Sequence, residues 1–252
     1  MINLTGMKKF FKKLMWALAA TVALIIVFMV SYLIIAKSAM KQMMPAETRQ
    51  LTDDVYSVRT KYVNMYLVKD GNHFVAIDAG IRKGAVKDEL KKLDIDPDRV
   101  TAVLLTHSDS DHAGGISLFD KAVIYLPEDE EQVINGETGR FLWFGNKIDT
   151  ENYKLLKDKS FRVGDLKIRM IPTPGHTAGS TCYIVNDKYL FTGDAVALHN
   201  GAIVRFPKII NKNARRAKRS MDNITGLDGV QYIFTAHYGY SDDYSGAVKN
   251  WR

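Results

Sequence analysis

Residues 106–115 read Thr106-His107-Ser108-Asp109-Ser110-Asp111-His112-Ala113-Gly114-Gly115, at the end of the apolar run TAVLLT (101–106). A run that is apolar on both faces reads as a buried strand. The polar cluster therefore stands at a strand's carboxyl end, where α/β sheets carry their sites. His107 and Asp109 are two apart and share a side in extended chain. Asp111 and His112 follow as the chain turns toward the glycine pair and a helix. Two histidines and two carboxylates within six residues suit hard or borderline metal ions, with donors enough for two. The bland alternative is a solvated polar loop.

Three downstream positions repeat the arrangement. His176 lies in Pro172-Thr173-Pro174-Gly175-His176-Thr177-Ala178-Gly179-Ser180, Asp194 in Phe191-Thr192-Gly193-Asp194, and His237 in Phe234-Thr235-Ala236-His237-Tyr238-Gly239. Each follows a strand-like run and sits beside Gly or Pro, which permits a tight turn. Four of the six histidines fall at such positions, which is hard to reconcile with a solvated loop.

With Asp78 in Ile77-Asp78-Ala79-Gly80, these residues resemble, in order, the metallo-β-lactamase fold superfamily over roughly 51–252. The resemblance implies an α/β, four-layered αββα sandwich with a metal site along one edge of two sheets. It implies one metal held by His107, Asp109 and His176, and a second by Asp111, His112 and His237, with Asp194 bridging. Asp78 corresponds to the family's supporting acid, which orients the ligands by hydrogen bonds. Zinc is the expected ion, two per chain. The implied chemistry is hydrolysis of a small-molecule ester, lactone, thioester or amide by a metal-bound hydroxide. Asp111 and Asp194 would take part in catalysis, with Tyr238 or His199 steadying the oxyanion.

The common family pattern has His where this chain has Asp109. The first site becomes two imidazoles and a carboxylate, a set that holds catalytic zinc and also non-haem iron. One alternative is thus an iron oxidoreductase related to the flavodiiron branch, which has Glu at that position. That branch carries a flavodoxin-like domain, and no stretch here is left to build one. A second alternative is an inactive metal-binding surface domain. The full ligand set speaks against it.

Ahead of this domain, Leu14 to Ala36 (LMWALAATVALIIVFMVSYLIIA) is free of charge for 23 residues. As a helix it is about 35 Å long, enough to cross a hydrocarbon core of about 30 Å. Residues 1–13 form a basic tail, 14–36 a single transmembrane helix in contact with membrane lipid, 37–50 a tether and 51–252 the catalytic domain. Four lysines precede the span and two follow it, which favours a cytoplasmic N-terminus and an outward-facing domain. The rival is a signal peptide cleaved near Ala36-Lys37-Ser38, but its apolar region should be only about 7–15 residues long.

Composition agrees. Of 252 residues 46% are hydrophobic and 25% charged, values of folded proteins rather than disordered ones. Of the net charge of +7, six come from the first 44 residues, which hold six lysines and no acid, leaving 29 basic against 28 acidic residues beyond. Global charge thus gives nucleic-acid binding no support. The single Cys182 excludes internal disulfides and reads as a buried small hydrophobe. His73 reads as a structural residue. The run Lys208, Lys212, Arg215, Arg216, Lys218 and Arg219 reads as the solvated face of a helix, with contact to anionic headgroups or an acidic substrate as the alternative. The aromatic segment Arg140–Gly145 reads as a loop or short helix over the site, or as core.

Strands are expected at VYSV, YVNMYLV, HFVAID, TAVLLT, AVIYL, LKIRMI, TCYIV, KYLFT and VQYIF. RKGAVKDELKKL (82–93) is expected to be an amphipathic helix, with Ala85, Val86, Leu90 and Leu93 on one side.

Overall fold

The computed structural model describes residues 4–140 and 144–251. It divides into two compact units, residues 1–42 and 43–252. The first is one helix, α1 (Leu4–Lys41). Its 38 residues extend about 57 Å, past both ends of the uncharged span, because the flanking lysines are good helix formers. Gly6–Lys41 is long and apolar enough to cross a membrane, and its apolar side chains are exposed, Leu24 and Phe28 at 71% and 72%.

The second unit begins within the expected tether. Pro45 is buried. The Met44 N–H donates to the His237 carbonyl at 2.8 Å. The Ala46 N–H donates to Asn64 Oδ1 at 2.7 Å, and Asn64 Nδ2 returns a bond to the Ala46 carbonyl at 2.8 Å. Residues 37–41 are helical and 49–50 form β1 (Arg49–Gln50). Side-chain bonds from Asn64, which lies far along the chain, order a stretch whose own sequence has no period.

The first sheet runs in the order β1, β2 (Val55–Thr60), β3 (Val63–Asp70), β4 (His73–Ile77), β5 (Val100–Leu104), β6 (Val123–Pro127), β7 (Tyr153–Leu156). Strands β1 to β4 are antiparallel neighbours and β4 to β7 are parallel. The crossovers between parallel strands carry α2 (Lys83–Lys92), α3 (Ser110–Ala113) and α4 (Glu128–Ile134). The second sheet places β8 (Ser160–Val163) at one edge, followed inward by β9 (Leu166–Pro172), β10 (Thr181–Val185) and β11 (Tyr189–Phe191). A separate hairpin of β12 (Val196–His199) and β13 (Ala202–Arg205) comes next in the chain, then α5 (Ala214–Ser220). Strand β14 (Tyr232–Phe234) joins β11 in parallel, and β15 (Tyr240–Ser241) closes that edge before α6 (Tyr244–Val248).

Three apolar clusters show the layers. Val68, Val75, Ile77 and Leu104 from the first sheet meet Ile168, Tyr183, Val185 and Phe191 from the second. The outer face of the first sheet packs Val58, Leu67, Ala76 and Val103 against Val86 and Leu90 of α2. The outer face of the second packs Cys182, Ile184 and Leu190 against Met221, Ile224, Tyr244 and Ala247. This is the αββα sandwich. Of the four positions assigned to the inner face of α2, Val86 and Leu90 are buried, while Ala85 and Leu93 are half-buried. His73 is exposed at the start of β4 and Cys182 is fully buried.

Candidate metal centre

All the expected ligands stand at carboxyl ends of strands on one edge of the sandwich. His107 follows β5, Asp109 precedes α3, and Asp111 and His112 lie within it. His176 sits in the turn between β9 and β10, Asp194 follows β11, and His237 follows β14. Local backbone explains the placement. Gly193 takes φ +51°, and a Cβ there would lie 2.5 Å from Thr106 Oγ1, so only glycine lets the Asp194 turn close over the end of β5.

The donors converge. His107 Nε2, Asp109 and His176 form one group, and Asp111, His112 and His237 another, with donor atoms within 4.8 Å of one another in each. Asp194 spans them: Oδ1 lies 3.4 Å from His112 Nε2 and 3.1 Å from His237 Nε2, while Oδ2 lies 3.3 Å from His176 Nε2. Asp111 Oδ2 is 3.5 Å from His237 Nε2. The four imidazoles and Asp194 are buried; Asp109 and Asp111 remain partly open.

Asp78, expected as the supporting acid, lies beside His112. Its backbone has φ +63°, a left-handed conformation that Asp tolerates better than most residues. That bend aims Oδ2 at His112 Nδ1, 2.8 Å away, while Oδ1 accepts the Thr106 N–H at 2.7 Å. The His112 proton is thereby drawn to Nδ1 and Nε2 faces the centre.

Electrostatics follow from burial and crowding. Burial, the largest single influence, pushes His112 down, but Asp194, Asp78 and Asp111 outweigh it and hold the ring well above its usual value. Burial also lowers His237, and Asp194 and Asp111 more than reverse it. For His176 burial wins and the ring is held down. Asp194 is held well below the carboxylate range: burial acts upward, but His237, His112 and His176 prevail.

Of the expected helpers, Tyr238 adjoins His237 and is half-buried; burial, then Asp194, pushes its phenol up to about 12, so the hydroxyl keeps its proton. His199 stands elsewhere. Its side chain is exposed at the end of β12, with Nε2 3.4 Å from Asn200 Nδ2, and among the described residues it makes none of the contacts that join the cluster. The β12–β13 turn carries it outward, so the expected oxyanion role has no geometric support. The expected cover at 140–145 lies outside the described residues at 141–143.

Sequence reasoning missed several residues. Glu130, fully buried in α4, accepts from the Ser108 N–H at 2.9 Å and hydroxyl at 2.6 Å through Oε1. Its Oε2 accepts from the Thr177 hydroxyl at 2.6 Å and the Gly179 N–H at 3.0 Å. It ties the 107–112 loop to the His176 loop. A Cβ at Gly179 would stand 2.1 Å from the Glu130 nitrogen, so glycine permits that approach. Tyr62 stacks on His237 with ring centres 6.0 Å apart, and its carbonyl faces His237 Nδ1 at 2.7 Å. Arg140 grips Asp109, with Nε 2.7 Å from Oδ1 and Nη2 2.6 Å from Oδ2. Glu130 is one of four consecutive acidic residues in α4, and nothing local separates it from the other three.

The residues fit a metal by an internal test. Among the described residues, His107 Nε2, His112 Nε2 and Asp194 Oδ1 are buried without a hydrogen-bond partner, and all three belong to one convergent donor group. Buried polar atoms left unpaired are costly; three facing one point are the signature of a cation site.

An αββα sandwich with a His/Asp centre at its strand ends defines a class of metalloproteins. A sequence profile of the metallo-beta-lactamase superfamily matches residues 58–237, and the chain belongs to that superfamily. It is 32% identical over 158 residues to a probable polyketide biosynthesis zinc-dependent hydrolase of Bacillus velezensis, covering 58% of this chain and 62% of that protein. It is 30% identical over 150 residues to a probable metallo-hydrolase of Methanocaldococcus jannaschii, covering 60% and 63%. The matched stretches span less than two thirds of these relatives' lengths. Among solved structures, a metallo-beta-lactamase family protein of Thermus thermophilus superposes with a TM-score of 0.60 at 20% identity, over 79% of this chain and 78% of that one.

Proposed function

We propose that this chain is a membrane-anchored, metal-dependent hydrolase of a small-molecule ester, lactone, thioester or amide. The observation that carries it is the convergence of His107 Nε2, His112 Nε2 and Asp194 Oδ1, buried and without a hydrogen-bond partner among the described residues. A divalent ion held there supplies Lewis acidity, polarising a carbonyl and making water nucleophilic at neutral pH. Zinc is favoured by the zinc-dependent Bacillus velezensis relative.

The protein's own groups orient and move protons. Asp78 fixes the His112 ring and the Tyr62 carbonyl fixes that of His237. Of the two partly open carboxylates, Asp109 is gripped by Arg140 while Asp111 faces His237. Asp111 is therefore the group placed to collect a proton and hand it to a leaving group. Tyr238, keeping its proton, acts as a donor. The iron alternative rests on Asp109 as a metal ligand, and the contact of Arg140 with that carboxylate weighs against it.

The apolar helix supports an anchor, with the lysine asymmetry favouring an inward N-terminus. The mass of the mature chain recovered from membranes distinguishes it from a signal peptide, since cleavage near Ala36 removes the helix. For the chemistry, the full chain in detergent is screened against ester, lactone, thioester and amide panels. Activity lost on chelation, regained with zinc and absent in Asp194→Ala supports the proposal. Turnover indifferent to chelator and to Asp194→Ala overturns it.

A further inference from the structure

The donors of the centre are not equally free. Asp109 Oδ1 accepts from Arg140 Nε at 2.7 Å and from Asn146 Nδ2 at 2.7 Å; Oδ2 accepts from Arg140 Nη2 at 2.6 Å. The same Nη2 lies 3.1 Å from His176 Nε2 and 3.0 Å from the Ile210 carbonyl. Asn211 Nδ2 faces the Phe206 and Pro207 carbonyls, which turns its Oδ1 toward His176 Nδ1 at 3.2 Å. The ring's Nε2 lies 3.0 Å from Asp109 Oδ2 as well as 3.1 Å from Arg140 Nη2, so His176 stands against both members of that ion pair. Of the three donors expected to hold the first metal, Asp109 is thus already bound to a cation that never loses its charge, and His176 stands against that pair. The atoms without hydrogen-bond partners among the described residues, His107 Nε2, His112 Nε2 and Asp194 Oδ1, belong to a donor group that includes neither Asp109 nor His176.

We propose that the Arg140 guanidinium is the resident cation of the Asp109–His176 half of the centre, so that this chain holds one metal ion, through donors drawn from His107, Asp111, His112, Asp194 and His237, rather than two. This rests on the metallo-hydrolase reading above. The departure at Asp109 and the presence of Arg140 then have one explanation. An imidazole at 109 could not take a bidentate guanidinium, whereas a carboxylate matches its fork. Once the pair has formed, a second dication at the same place would have to displace a like charge and break the bonds of Arg140 and Asn146 to Asp109.

The test is a metal count. The full chain, purified in detergent without chelators, is loaded with excess zinc, freed of loosely held ion by gel filtration and analysed for zinc per chain. The expected result is one for the wild type and two for Arg140→Ala, with Arg140→Gln as a second variant in case the first fails to fold. Two zincs in the wild type overturn the inference but leave the hydrolase reading intact. One zinc in wild type and in both variants also overturns it, since Arg140 then is not what excludes the second ion. No zinc in the wild type overturns both.

Discussion

Replacing Glu130 by Gln tests whether the centre is held together by a carboxylate that touches no ligand. Its four bonds join two loops: Oε1 takes the Ser108 N–H and hydroxyl, Oε2 the Thr177 hydroxyl and the Gly179 N–H. Gln keeps the shape but turns one oxygen into a donor. A hydroxyl facing the new amide can rotate and accept, whereas the backbone N–H beside it cannot. That leaves one buried N–H unpaired, at about 1–3 kcal/mol, and the remaining bonds fall from charge-assisted strength to about 1 kcal/mol each. Relief from desolvating a buried charge offsets part of the loss. The net expectation is about 2–4 kcal/mol, a large share of a typical stability of about 5–15 kcal/mol. Urea unfolding of the full chain in detergent, followed by far-UV circular dichroism, reads it directly. With a slope of about 2 kcal/mol per molar, typical of small proteins, the midpoint drops by roughly 1–2 M. A change below about 1 kcal/mol refutes the claim that Glu130 clamps the loops.

Asp78→Asn weakens the acceptor for His112 Nδ1 and lowers zinc affinity by about 10–100-fold, measured by competition with a chromophoric chelator; an unchanged constant removes Asp78 from its supporting role. Zinc affinity rises with pH: His112 and His237 are held above their usual values, so the ion must displace protons from rings still charged near neutrality. The sign reverses for the metal-free chain. There the raised pKa values contribute stability that is complete below about pH 6.5 and is lost as pH rises through the folded values, which thermal melts at pH 6 and pH 9 compare. Equal zinc affinity at both pH values contradicts the ligand assignment. Cys182 is fully buried with its thiol pushed up to about 12 by burial, so a thiol reagent at pH 8 labels it only in denaturant; rapid labelling of the native chain disproves that burial.

What the sequence made legible follows from how it stores information. The central strands are buried on both faces, and β5, β10 and β11 show as apolar runs at VTAVL, TCYIV and YLF. The strands that escaped lie mostly at sheet edges: β1 and β7 bound the first sheet, β8 and β15 the second. Half-exposed edges need no continuous apolar run, and SFRV in β8 shows an exposed and half-buried alternation with no core pattern to detect. The hairpin β12–β13 escaped for a related reason, because its second strand leaves Val204 and Arg205 outside. His199 was overvalued on the same account: five residues after Asp194 is close in sequence, and the hairpin turns that closeness outward.

The candidate ligands were visible because they cluster just beyond four strand ends, those of β5, β9, β11 and β14, so local motifs mark them. The groups that decide how those ligands behave carry no such mark. Arg140 is 31 residues from Asp109 and 36 from His176; Glu130 is 22 from Ser108 and 47 from Thr177. Such pairings exist only once the α4 crossover and the loop beyond it fold back over the end of β5. Asp109 alone left open whether the first half of the centre held zinc or iron. The bidentate contact from Arg140 changes the terms of that choice, because charge at a largely enclosed carboxylate has to be balanced by something. A histidine-rich site leaves that balance to an ion from solution. A carboxylate paired with an arginine of the same chain carries its balance permanently, and the half-site it occupies becomes part of the fold rather than a vessel for metal.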